Sequence, residues 1–253
     1  MSEFTWLCRG DRLPAVAVAQ LLLKRTGFSL AADGDFGPAT QAAVRSFQSQ
    51  RRLGADGIIG RITWPRLVAS ERLQIIDCID VFDPDLYDSE GSLLRGAGGR
   101  PMVLGGMCNG IEQAVTNIVA AANQTFLLRF HGHGASGVAG VSDGEGEITS
   151  RSSFENNPET MRALRRLRGV FGPWGCIQFM HCSTGSGPAG AAFLQKVANT
   201  VGVPATGALN SQYGSTLREA VRYEGPVRTA CPGGTSVATW ARGLPQFAQM
   251  SVA

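Results

Sequence analysis

Lysine is nearly absent from this chain. Lys24 and Lys196 are the only two, and arginine supplies the rest of the 23 basic side chains, a bias that a GC-rich coding sequence explains as well as any function. No apolar run approaches the roughly 18 residues that a membrane-spanning helix needs. The opening residues, Met1-Ser2-Glu3-Phe4-Thr5-Trp6, lack a basic stretch followed by a long apolar one, so no secretory signal is visible. Six cysteines in 253 residues are too few for a disulfide scaffold, and none forms the C-x-x-C pair of a structural zinc ribbon. Cys8 and Cys78 flank the N-terminal segment and either bridge under oxidising conditions or remain buried thiols. A net charge of +3 is too weak to argue for nucleic acid, although it favours approach to an anionic surface. The 43% hydrophobic and 17% charged content is that of a globular chain with a packed core.

Histidine is scarce too, and its distribution is informative. The three histidines fall at two places, each just after an apolar run bounded by glycine. Phe126-Leu127-Leu128-Arg129-Phe130 runs into His131-Gly132-His133-Gly134, and Cys176-Ile177-Gln178-Phe179-Met180 runs into His181-Cys182-Ser183-Thr184-Gly185. Such runs are the pattern of interior strands of a parallel sheet, and residues just past their carboxyl ends face the ligand crevice. An imidazole and a thiol at neighbouring strand ends are what a cysteine nucleophile requires.

The first third of the chain contains a repeat. Asp33-Gly34-Asp35-Phe36-Gly37-Pro38-Ala39-Thr40 returns 23 residues later as Asp56-Gly57-Ile58-Ile59-Gly60-Arg61-Ile62-Thr63. Each copy is an Asp-Gly turn, an apolar anchor and a glycine before a helix start. Thr40, Ala43, Val44, Phe47 and Gln48 have helical spacing with Val44 and Phe47 inward, and Val16, Val18, Leu21, Leu22 and Leu23 give another helix ending near Gly27. With Gln20, Leu53, Trp64 and Leu67, these positions from about 12 to 68 resemble a small three-helix peptidoglycan-binding domain of bacterial wall hydrolases. The resemblance implies an all-α module over 1–70 and peptidoglycan as partner. The exposed polar residues of the two turns, Asp35 and Arg61, are the candidate wall contacts.

Residues 71–253 read as an α/β domain with a mainly parallel sheet. Leu73 to Val81 is a candidate first strand. The stretch from Asp83 to Gly99 reads as a glycine-rich surface loop. Asn109 is placed to cap a helix over 110–122, another is expected near Pro158 to Arg168, a third holds Phe193, Leu194 and Val197, and a short strand follows over 203–207. His133-Gly134-Ala135-Ser136-Gly137 after one strand, and Cys182 after the next, resemble the histidine and nucleophile motifs of caspase-like cysteine hydrolases, in that family's order. The glycine pattern Gly185-Ser186-Gly187-Pro188-Ala189-Gly190 entering a helix extends the likeness. The resemblance implies Cys182 as nucleophile, His133 as general base and acid, and the backbone N–H groups of Gly134 and Cys182 as oxyanion donors, without a cofactor. His131, Ser183 and Asp143 are the candidate substrate contacts, and no third catalytic group is identifiable. His181 is expected on the opposite face from Cys182, in a structural role.

The combined expectation is a wall-directed cysteine peptidase or amidase. Its rivals are a catalytically inert wall-binding protein and a zinc hydrolase using His131, His133 and either His181 or Cys182. The glycine pattern as a nucleotide loop is set aside, since no acidic residue closes a following strand at the required spacing. A wall-binding module without a visible signal fits either a phage endolysin or an antibacterial effector delivered to a neighbour's periplasm. The effector reading would add an immunity protein and a secretion-system component as partners, with no nucleic acid and no membrane span.

Overall fold

A computed structural model of the chain describes residues 5–69, 71–80, 84–96, 100–104, 110–141, 153–212 and 221–249. The N-terminal segment forms the three helices expected: α1 (Pro14–Arg25), α2 (Pro38–Gln50) and α3 (Thr63–Val68). Proline opens α1 and α2, where its missing N–H costs nothing because the first turn has no intrahelical acceptor for it. From Pro14 to Leu23 every residue of α1 is buried, so this helix is covered on all sides, with Gln20 the one polar side chain in that stretch.

The repeat has a structural explanation. Gln20 is buried, and its Nε2 donates to Asp33 Oδ1, Asp35 O and Thr40 Oγ1, while its Oε1 accepts from the N–H groups of Asp33 and Gly34. Gln48 does the same for the second copy, donating to Asp56 Oδ1, Ile58 O and Thr63 Oγ1 and accepting from Gly57 N–H. Each aspartate also accepts from the amide two residues on, Asp35 or Ile58. One buried glutamine thus satisfies one Asp-Gly turn in each half of the repeat, which explains why Asp, Gly and Thr recur at one spacing.

The remainder is β1 (Gln74–Asp80), α4 (Pro84–Gly96), β2 (Met102–Leu104), α5 (Gly110–Ala121), β3 (Thr125–His131), β4 (Gly134–Ala135), β5 (Val138–Gly140), β6 (Ser153–Glu155), α6 (Pro158–Leu164), β7 (Phe171–Phe179), α7 (Gly187–Val201), β8 (Ala205–Ala208), β9 (Val227–Ala230) and α8 (Val237–Arg242). The main sheet has the order β2-β1-β3-β7-β8-β9, parallel except for β9, and β4-β5-β6 form a small antiparallel sheet.

Three expectations need correction. Residues 84–96 are a helix and not a loop, because Glu90 and Leu94, one turn apart, are drawn inward, and the glycines at 91 and 96 masked that spacing. The helix expected to run to Arg168 ends at Leu164 and tightens into a 3₁₀ turn over Arg165–Gly169. The strand placed at 203–207 lies at Ala205–Ala208. Asn109, the expected cap of α5, lies outside the described residues.

Each face of the sheet has its own core. α5, α6 and α7 bring Ile111, Val115, Met161, Phe193 and Leu194 against Ile76, Leu128, Phe130, Ile177 and Phe179. The opposite face carries the N-terminal helices: Leu21, Phe36, Phe47 and Trp64 share one cluster with Ile75, Ile79, Phe126, Leu127 and Met180. α1 packs on α2, α3, α8 and β7, and Trp64 lies 6.4 Å from Phe126, ring to ring. The helical segment is therefore one of the layers that cover the sheet. Unfolding should be a single transition in which Gln48→Ala costs about 2–4 kcal/mol, since it strips several buried polar groups of partners. Denaturant titration checks both, and an unchanged midpoint would mean that Asp56 holds its turn without the glutamine.

Candidate active site

β3 and β7 are adjacent, with Phe130 opposite Phe179, and Met180 N–H donating to Phe130 O at 2.8 Å extends the pairing. The segments that follow, His131-Gly132-His133 and His181-Cys182, therefore leave the same edge of the sheet side by side. The β4–β5 hairpin then folds onto the cysteine turn. Thr184 Oγ1 donates to Val138 O at 2.9 Å, and Gly137 N–H donates to Thr184 O at 3.1 Å. A Cβ on Gly134 would fall 2.7 Å from His181 Cβ and 2.8 Å from Thr184 Oγ1, so only glycine allows this approach. His133, which is exposed, precedes Gly134, and Cys182, which is half-buried, follows His181. The two lie on one rim, each next in sequence to the pair in contact.

Cys182 is held by the chain beyond β8. Its Sγ accepts from Gln212 N–H at 3.2 Å and lies 3.5 Å from Gln212 O. Ser183, half-buried, has φ +52° and gives its N–H to Asn210 O. A residue other than glycine in the left-handed region is strained, and here the strain sits directly after the candidate nucleophile. Gly185 and Gly190 of the glycine pattern serve packing. A Cβ on Gly190 would lie 2.4 Å from the Gly185 carbonyl carbon, and one on Gly185 would lie 2.6 Å from Gly207 O.

His131 is placed away from any substrate. It is buried, its Nδ1 meets Glu90 Oε2 at 2.6 Å and its Nε2 meets Asp77 Oδ1 at 3.1 Å, so neither nitrogen faces outward. Arg129, fully buried, binds both oxygens of the same Asp77. Burial works against the charge on Asp77, but Arg129 and the bond from His131 outweigh it and hold the carboxyl at about 2. Burial likewise opposes the charge on His131, yet Glu90 and Asp77 raise it to about 9. His181 is the opposite case. Its buried ring donates through Nε2 to Gly140 O at 2.9 Å, and burial lowers it to about 3, so it stays neutral.

Among the described residues, no three of His, Cys, Asp and Glu are grouped to hold a metal ion. The zinc set drawn from the histidines is not assembled, because His131 spends both nitrogens on carboxylates and His181 spends Nε2 on a carbonyl. Asp143 lies outside the described residues. Asp35 pairs with Arg12 at 3.2 Å on the surface, and Arg61 is exposed on the second turn. Glu90, Asp77 and Arg129 escaped the sequence reading, although a charge inside an apolar strand run signals a buried partner. Asp80 is a further buried carboxylate at the end of β1, where its Cβ would stand 3.3 Å from a Cβ on Gly132.

The buried cluster predicts how stability depends on pH. His131 has its pKa raised on folding, so its contribution is complete below 6.5 and lost as pH rises through about 9. Asp77 has its pKa lowered, so its contribution is complete above 3.8 and lost as pH falls towards about 2. The melting temperature should decline in both windows, and Glu90→Gln should flatten the alkaline arm. A flat profile between pH 6.5 and 9 would contradict the ionised His131.

Residues 12–67 match the family model described as "Putative peptidoglycan binding domain". The chain is 43% identical over 84 residues to a zinc D-Ala-D-Ala carboxypeptidase of Streptomyces albus G, covering 31% of this chain and 32% of that protein. It thus spans about a third of the length of the curated relatives it matches. Among solved structures, a peptidoglycan-binding protein from Clostridioides difficile is 40% identical over 24% of this chain and 39% of its own, with a TM-score of 0.24. The Burkholderia AP3 phage endolysin is 29% identical over 47% of this chain and 51% of its own, with a TM-score of 0.26. Together with the paired Asp-Gly turns, each closed on a buried glutamine, the family match makes residues 12–67 a peptidoglycan-binding domain.

Proposed function

We propose that the chain is a cell-wall hydrolase in which Cys182 attacks a peptide or amide carbonyl of the peptidoglycan stem. What supports this is that the hairpin after β3 is bonded to the turn after β7, so that His133 and Cys182 follow adjacent strand ends. In the reaction, His133 takes the thiol proton and Sγ forms a bond to the carbonyl carbon. The developing oxyanion is held by the N–H groups of Gly134 and Cys182. His133 then gives the proton to the leaving nitrogen as the C–N bond breaks, and water cleaves the thioester with His133 as base. The caspase-like resemblance of the two motifs supports the same assignment. The wall-binding domain supports the substrate class, since attachment to an insoluble polymer raises the local concentration of the site.

Incubated with purified sacculi, the protein should release muropeptides. Cys182→Ala should abolish release, and His133→Ala should lower it about 10²–10⁴-fold, the usual contribution of a general acid–base group. Undiminished release by Cys182→Ala, or loss on adding a chelator, would overturn the cysteine mechanism, and the second result would favour the zinc chemistry named in the Streptomyces relative. Thiol labelling checks the nucleophile separately. Burial raises Cys176 to about 12 and Cys231 to about 11 and raises Cys78 as well, so these should resist iodoacetamide. Cys182 should label faster than Cys8, whose pKa is raised by burial and by Asp11. Equal rates would point to an inert wall-binding protein.

A further inference from the structure

Cys182 is covered by the chain that leaves β8. Among the described residues both polar contacts of its Sγ are with Gln212. The Gln212 N–H donates to the sulfur at 3.2 Å, and the thiol donates to Gln212 O at 3.5 Å. A thiol has one hydrogen to give. While Gln212 O holds it, His133 cannot take it. The Gln212 side chain keeps its own backbone in that place. Its Oε1 accepts from Glu224 N–H at 2.9 Å, and its Nε2 donates to Asn210 O at 3.2 Å and to Ser211 O at 3.1 Å. Asn210 O also accepts from Ser183 N–H, so the covering segment is bonded to the turn that carries the nucleophile. The segment is fastened to the chain entering β9 at two points, Leu209 N–H on Pro226 O and Glu224 N–H on Gln212. Between these points lies Gly225 with φ +138°, a conformation open to glycine. Rotation there would free Gln212 and leave Leu209 paired. Ser211 is exposed and Gln212 half-buried, so the bonds that hold the cover lie near the surface, where each is weak.

We propose that Gln212 is a gate on the nucleophile: its backbone covers the Cys182 thiol in the resting chain, and substrate must displace it before the thiol can react. The inference rests on the reading of Cys182 as nucleophile and adds a conformational step to it. The physical reason is exclusion. In the attack, the carbonyl of the substrate must stand against Sγ, in the space that the peptide unit of Gln212 fills. Both cannot be there at once. With the gate shut, the thiol hydrogen is spent on Gln212 O. With it open, that proton passes to His133 and Sγ is free to bond the carbonyl carbon. Only the open fraction takes substrate, so the work of opening is subtracted from the apparent affinity. The gate therefore favours a ligand held beside the site long enough to move a backbone segment. Attachment to the polymer through residues 12–67 supplies that condition, since it raises the local concentration of substrate.

The test is the rate at which iodoacetamide alkylates Cys182 in the full chain, followed by peptide mass. The parent is compared with Gln212→Ala and Gln212→Met, which both lose the side-chain bonds to Glu224, Asn210 and Ser211. Both variants should label Cys182 about tenfold faster, the shift in opening expected when bonds of ordinary net strength are removed. Cys8 should label at its parental rate, and buried Cys176 should stay unlabelled, which shows that the fold is kept. On sacculi, the variants should reach half-maximal muropeptide release at about tenfold lower sacculus load. Unchanged labelling of Cys182 in both variants would overturn the gate. Slower labelling would overturn it too, because Gln212 would then orient the thiol for reaction rather than cover it. Acceleration at Cys8 and Cys176 as well would equally overturn it, as a general loosening of the chain. Each of these failures leaves the hydrolase reading standing if the parent releases muropeptides. Faster labelling of Cys182 with no release from parent or variants would instead sink the hydrolase reading and leave the gate.

Discussion

Arg129 puts a full positive charge in the middle of a buried strand, and much of the sheet is organised around that fact. An ion taken out of water without a partner costs several kcal/mol. Asp77 answers it from the neighbouring strand with both oxygens, and that fixes β1 against β3 in register as well as in charge. Asp77 also reaches His131, and His131 reaches Glu90, so the same cluster docks α4 onto the strand end that leads to His133. The candidate base thus follows a strand end pinned from behind by Asp77 and Glu90.

The second constraint is that the wall-binding domain and the sheet share a core. Leu21, Trp64 and Phe126 belong to one cluster, and α1 is sealed between its own module and the sheet. A linker would let the binding domain and the sheet sample many separations. A shared core gives one. Trp174 of β7, stacked on Phe247 and bonded to Pro245 O, fastens the C-terminal segment to the same strand.

At the rim the controlling force is steric. Gly185 and Gly190 bring backbone against backbone, and Gly134 meets the side chains of His181 and Thr184, at distances that a methyl group would forbid. The glycine pattern that resembles a phosphate loop in the sequence is in this fold the way a helix start is packed against β8. The strained backbone at Ser183 is tolerated because its N–H is bonded to Asn210 O and the neighbouring sulfur is bonded by Gln212.

Local patterns announced the three helices, the paired turns, strands over 126–130 and 176–180, and the two strand ends that carry His133 and Cys182; the first half of β7, from Phe171 to Gly175, was not announced. These rest on nearest-neighbour physics: apolar period, Asp-Gly chemistry, proline at a helix start. The buried roles of Gln20 and Gln48 were not legible, because the two glutamines stand at different distances before the turns they close, 13 residues and 8. The helix at 84–96 and the sorting of His131 and His181 into one charged and one neutral buried ring could not be read the same way. Each depends on groups distant along the chain: Glu90 on His131, Gly140 on His181. Residue type and spacing describe what a side chain offers. Its protonation, exposure and partners depend on which remote segment folds against it.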